Sequence, residues 1–83
     1  MTDRFTLDRL PIGATAAIAA VGGSGPLRLR LLDMGLTPRT PVTMRKIAPL
    51  GDPLEIQVRG YELTLRADDA RLIELIAPKE AEK

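Results

Sequence analysis

Eighty-three residues make one small domain, with room for a single hydrophobic core. Hydrophobic residues are 45% of the chain and aromatic ones only 2%, so that core must be built from Leu, Ile, Val, Ala and Met. Twelve Lys and Arg against 11 Asp and Glu give a net charge of +1, no electrostatic excess for nucleic acid or an anionic membrane, and the lack of both His and Cys excludes disulfides, thiolate metal sites and nucleophile–histidine catalysis.

Met1 to Arg4 is polar and carries no signal-peptide pattern, and no apolar run approaches the length of a membrane span. These features point to the cytoplasm. Met1 to Asp8 reads as a loose arm, with the folded core running from about residue 7 to residue 77 and flexible ends at 1–6 and 78–83. Pro11-Ile12-Gly13 turns into a small-residue strand from Ala14 to Val21, with Ala16, Ile18 and Ala20 in one alternating frame.

Gly22-Gly23-Ser24-Gly25 breaks that strand. It lacks the Lys and the spacing of a phosphate-binding loop and reads as the entry to a helix from Pro26 to Met34. Gly35 lies just past the helix, and Pro38 stops any continuation. At about 100° per residue, Leu27, Leu31 and Met34 share one face. Leu29, Leu32 and Leu36 lie roughly opposite, with Arg28, Arg30 and Asp33 between them. Either both apolar faces are wrapped into the core, or the second is a docking surface.

Pro41 to Ile47 is the next predicted strand, with Val42 and Met44 on one face. Ala48 to Pro53 forms a turn, stiffened by two prolines, that carries an apolar Leu50. Leu54, Ile56 and Val58 then alternate with Glu55, Gln57 and Arg59. After Gly60-Tyr61, Leu63 and Leu65 alternate with Glu62, Thr64 and Arg66. Glycine as the first of two turn residues favours a type II′ hairpin. That register sets Val58 opposite Leu63, Ile56 opposite Leu65, Arg59 opposite Glu62 and Glu55 opposite Arg66. Asp68-Asp69-Ala70 makes a helical turn, Leu72 to Ile76 a closing strand, and Lys79 to Lys83 a charged tail.

Two stretches carry a family resemblance. Arg30-Leu31-Leu32-Asp33-Met34-Gly35-Leu36-Thr37-Pro38 is one, and the run from Ala48-Pro49-Leu50-Gly51-Asp52-Pro53 through the hairpin to Ala70 is the other. In this order they resemble the FeoA family, the small cytosolic component of bacterial ferrous iron uptake, over about Leu7 to Ile76. About five short strands with a helical insertion fit several small β folds. The resemblance selects a small SH3-like β-barrel of about five strands, with one short α-helix inserted after the first strand.

It also implies a non-enzymatic accessory or regulatory role, exerted by contact with the membrane GTPase FeoB, which moves Fe²⁺ inward. Such a protein would sit in the cytoplasm, at the inner face of the membrane through its partner. One departure is Arg39, where family members commonly carry Gly after the proline. Pro-Arg prefers a type I turn, so the Thr37–Thr40 loop is either set differently or strained at Arg39.

The candidate partner surface comprises Arg28, Leu29, Arg30, Leu32 and Leu36 on the helix, Leu50 on the stiff turn and Tyr61 at the hairpin tip. Tyr61 and Leu50 each have a plainer role open to them, folding back over the turn and packing on the barrel rim. Arg28, Arg30 and Arg39 are the candidates for an arginine supplied in trans to a GTPase. The carboxylates form no convergent cluster along the chain, and Met34 and Met44 fall on core-facing positions. No specific Fe²⁺ site, cofactor or catalytic residue is therefore expected. Two other roles stay open: self-association through the apolar helix face and the hairpin edge, and kinship to the C-terminal module of metal-dependent repressors.

Overall fold

The computed structural model describes residues 4–76. Its frame is a six-stranded antiparallel sheet of β1 (Arg4–Thr6), β2 (Thr15–Val21), β3 (Pro41–Ile47), β4 (Leu54–Val58), β5 (Tyr61–Leu65) and β6 (Ile73–Ile76), in the order β1-β6-β2-β3-β4-β5. Helix α1 (Gly25–Asp33) follows β2, and the one-turn α2 (Ala67–Ala70) precedes β6. The sheet curls into a barrel-like shape without closing, so β1 and β5 are edges. The expected arm holds one more strand than anticipated. Arg4–Thr6 pairs with Glu74–Ile76, which places α1 after the second strand. The remaining expected flexible positions, 1–3 and 78–83, lie outside the described residues.

Two β-bulges bend the sheet. One falls between Ile18 and Ala20 on β2, the other between Met44 and Lys46 on β3. An extra residue shifts the inward frame by one. On β2 the buried residues are therefore Ala16, Ile18 and Val21 rather than Ala20. On β3 Arg45 and Lys46 are both exposed and Ile47 returns to the core side. The core is aliphatic throughout: Leu7, Leu10, Ile18, Leu31, Leu36, Val42, Met44, Leu54, Ile56, Val58, Ile73 and Leu75 are fully buried.

The β4–β5 hairpin departs from the predicted turn. Arg59 (φ 51°) and Gly60 (φ 87°) are the two turn residues, which makes it type I′. Val58 then pairs with Tyr61, Ile56 with Leu63 and Leu54 with Leu65. The pairing has slipped by two residues from the expected register, and an even slip keeps every side chain on its face. The apolar row is preserved. The expected charge pairs Arg59–Glu62 and Glu55–Arg66 are lost. Gln57 and Thr64 stand opposite Glu62 and Glu55 instead, and Arg45 on β3 reaches Glu62 at 3.6 Å.

Helix α1 ends in a Schellman cap. The Gly35 N–H donates to the Leu32 carbonyl (3.0 Å) and the Leu36 N–H to the Leu31 carbonyl (3.2 Å), and Leu31 and Leu36 bury together. This cap gives the Leu-Leu-Asp-Met-Gly-Leu run its physical meaning. Gly35 sits at φ 97°, and a Cβ there would lie 2.7 Å from the Tyr61 hydroxyl. By contrast Gly13, at φ 90°, faces open space. Left-handed backbone costs a non-glycine residue about 1–2 kcal/mol, and a displaced hydrogen bond about 1 kcal/mol more. Gly35→Ala should therefore destabilise the fold by about 2 kcal/mol and Gly13→Ala by about 1 kcal/mol. Urea unfolding of the two variants checks that difference.

Candidate partner-binding surface

Helix α1 has one inward face. Leu31 is buried, and Leu27, Leu32 and Met34 pack partly against the core. The second apolar face reduces to Leu29, which is 61% exposed. Leu32 is half-buried, and Leu36 has left the helical trace and is wholly buried. Leu36 therefore leaves the candidate surface, because the cap that places it turns the chain inward. Arg28 and Arg30 are exposed beside Leu29. The Arg28 Nε donates to the Val21 carbonyl at 3.1 Å, which fixes the start of the helix on the end of β2.

At the other end of α1, the Tyr61 hydroxyl donates to the Met34 carbonyl. Met34 is the residue at which the helix stops, so Tyr61 fastens the helix C-terminus to the hairpin tip. The ring remains 44% exposed. It both folds back, as in the plainer reading, and keeps an open flank. The hairpin also grips the loop that follows α1 through Arg59, whose guanidinium donates to the Thr37 Oγ1 (3.2 Å) and the Thr40 Oγ1 (3.1 Å). Those hydroxyls also bond one another at 2.9 Å.

Between them lies Arg39, exposed and at φ 74°. The Thr40 N–H bonds the Thr37 carbonyl (3.2 Å) around Pro38-Arg39. With positive φ at its third residue, the turn is type II. Of the two alternatives for this loop, the strained one is realised. The fold imposes it: the Arg39 N–H donates to the Ile18 carbonyl (2.7 Å) and the Ile18 N–H to the Thr40 carbonyl (2.9 Å), so the turn is tied to β2.

Arg30, Arg39, Arg59 and Tyr61 thus lie around the C-terminal end of α1, with Leu29 exposed further back along the helix. None of these arginines has a carboxylate partner among the described residues. Leu50 lies elsewhere. It is 96% exposed on the β3–β4 connection, at the opposite end of β4 from the Tyr61 tip, about 15 Å along the strand. Its loop is anchored by Asp52, whose Oδ1 accepts the Ala67 N–H at the start of α2 (3.0 Å). The seven candidate residues are therefore not one patch. Arg59 was missed because Gly-Tyr read as the stronger turn signal. An Arg-Gly pair with both residues left-handed is visible only once Thr37, Thr40 and Met34 are in place to hold it. The described residues form no pocket and no group of three or more metal-ligating side chains.

Residues 5–77 match the family model described as the FeoA domain. The chain belongs to the FeoA family. This FeoA chain is 38% identical over 69 residues to an Fe(2+) transport protein A/Fe(2+) transporter FeoB fusion protein of Porphyromonas gingivalis. The match covers 83% of this chain and 8% of the fusion, so the chain spans only a small part of that curated relative. Among solved structures it is similar to iron(II) transport protein A of Clostridium thermocellum, with a TM-score of 0.84, 36% identity, and coverage of 88% of this chain and 45% of that one. It is also similar to the zinc complex of FeoA from Stenotrophomonas maltophilia, a prokaryotic SH3-domain protein, with a TM-score of 0.77, 27% identity, and coverage of 86% and 88%. A manganese-dependent transcriptional repressor, 12% identical at a TM-score of 0.82 over 93% of this chain and 43% of its own, shares the fold alone. The FeoA chain therefore has the SH3-like fold of a family involved in ferrous iron transport.

The strain at Arg39 yields a test. Glycine relieves about 1–2 kcal/mol of left-handed strain and gives back about 0.5–1 kcal/mol as unfolded-state entropy. Arg39→Gly should raise unfolding stability by about 0.5–1 kcal/mol, read as a later urea midpoint at unchanged slope.

Proposed function

We propose that this chain is a non-enzymatic accessory protein of bacterial ferrous iron uptake, acting by contact with the cytoplasmic part of an FeoB-type membrane GTPase. The observation that carries this reading is the fusion in Porphyromonas gingivalis, where a segment 38% identical to this chain shares a polypeptide with the transporter. Fusion keeps two modules at high effective concentration, which suits modules that work in contact. Fe²⁺ is cargo of the partner in this scheme, and the chain itself holds no specific iron site, cofactor or catalytic group. It resides in the cytoplasm, at the inner face of the membrane through FeoB; no helix among its described residues is long and apolar enough to cross the bilayer itself.

The contact surface is the exposed flank of α1 with the rim beside it: Arg28, Leu29 and Arg30, joined by Tyr61, Arg39 and Arg59. Tyr and Arg around an exposed aliphatic residue match the composition of binding hot spots. The Schellman cap, the Tyr61 bond and the Arg59 clamp hold these groups in place before binding, which lowers the ordering cost. Leu50 stands apart and serves as a control.

Binding of purified, detergent-solubilised FeoB from the same organism tests the assignment. Leu29→Asp and Arg30→Glu should each weaken binding about tenfold or more with thermal unfolding unchanged, whereas Leu50→Asp should leave it nearly intact. Wild-type protein that does not bind FeoB overturns the function, and equal binding by all variants overturns the surface.

A further inference from the structure

The last strand of the sheet, β5, has a neighbour on one side only. Val58 and Tyr61 flank a two-residue turn and so form a hydrogen-bonded pair, as do Ile56–Leu63 and Leu54–Leu65 further along. The backbone N–H and C=O groups of Glu62 and Thr64 therefore point away from β4. None of the other backbone hydrogen bonds among the described residues uses them.

Free edges in monomeric proteins are usually short, bulged, or guarded by Pro or Lys. The opposite edge, β1, has three residues. In contrast β5 runs five residues in unbroken register, with no Pro, no Lys and no bulge. Its exposed face carries Glu62, Thr64 and then Arg66, which remains extended at φ −76°, ψ 151°. An acid and a base thus stand two residues either side of Thr64.

We propose that β5 pairs with β5 of a second copy of this chain, antiparallel about a two-fold axis at Thr64, extending the sheet across the dimer. In this register Thr64 faces the partner's Thr64, and Glu62 faces the partner's Arg66 twice over. Glu62 and Thr64 are the outward-bonding positions of β5, so Thr64 and the partner's Thr64 form a hydrogen-bonded pair and Glu62 extends the new ladder toward the partner's Arg66. The Arg66 carbonyl already accepts the Ala70 N–H (3.0 Å), and its second lone pair is free for the partner strand. Other two-fold registers are poorer. An axis at Glu62 opposes like charges, and an axis at Leu63 sets Arg66 opposite the hairpin glycine. Opposite charges across a strand pair stabilise it and like charges destabilise it, so charge selects the Thr64 axis. The edge is far smaller than a standard protein interface, so the dimer is weak and depends on concentration.

Sedimentation equilibrium of the full chain over a range of concentrations tests this pairing. The wild type should show a reversible monomer–dimer equilibrium, with the Glu62 and Thr64 amides gaining hydrogen-exchange protection as the dimer forms. Arg66→Glu and Glu62→Arg should each abolish it, and the double exchange Glu62→Arg with Arg66→Glu should restore it. Thr64→Pro removes only an outward N–H, which an edge strand tolerates, and should give a folded monomer. A wild type that stays monomeric at its highest soluble concentration overturns the proposal. So does a dimer that survives Arg66→Glu, or a double exchange that fails to recover dimerisation.

Discussion

The left-handed turn at Gly35 joins the two halves of this molecule. Capping bonds there return the chain from α1 into the core at Leu36, and the absent side chain leaves room for the Tyr61 hydroxyl on the Met34 carbonyl. Helix end and hairpin tip are thereby fixed to one another, in a core with a single phenylalanine at its margin and no large aromatic inside it. An aliphatic core supplies cohesion without direction. Direction at this corner comes from a few hydrogen bonds: Tyr61 to Met34, Arg59 to Thr37 and Thr40, and Arg39 to Ile18.

That corner is also where the backbone carries its cost. Arg39 and Arg59 are the two non-glycine residues with positive φ among those described; Arg39 lies within the Thr37–Thr40 turn and Arg59 is bonded to its two threonines. Each is held by bonds to neighbouring elements rather than by its own preference. Strain that persists in this way requires a surrounding structure that over-determines it. The consequence is a rim of arginines and a half-exposed tyrosine set on backbone tied down by hydrogen bonds. The proposed contact with an FeoB-type partner would draw on that preorganisation.

Much of the architecture was legible along the chain. Alternation on β3, β4 and β5, the Gly-Pro entry to α1, its Met-Gly-Leu exit and the small-barrel arrangement all survive in the structure, because each is a local preference that burial reinforces. The differences have two origins. The bulges on β2 and β3 and the strand in the N-terminal arm depend on which distant segment lies alongside. The two-residue slip of the hairpin and the burial of Leu36 are set by left-handed residues at a turn and a helix cap, Arg59-Gly60 and Gly35.

Along the sequence by itself, the resemblance identified the family, while periodicity and turn chemistry, which act over a few residues, identified most of the elements and their inward faces. Only the tertiary structure decided what stands together on the surface. It removed Leu36 to the interior and brought Arg39 and Arg59 to the end of α1. The physical reason is that surface neighbourhood arises from long-range closure of the sheet, and solvent-facing residues carry no hydrophobic pattern from which that closure can be read.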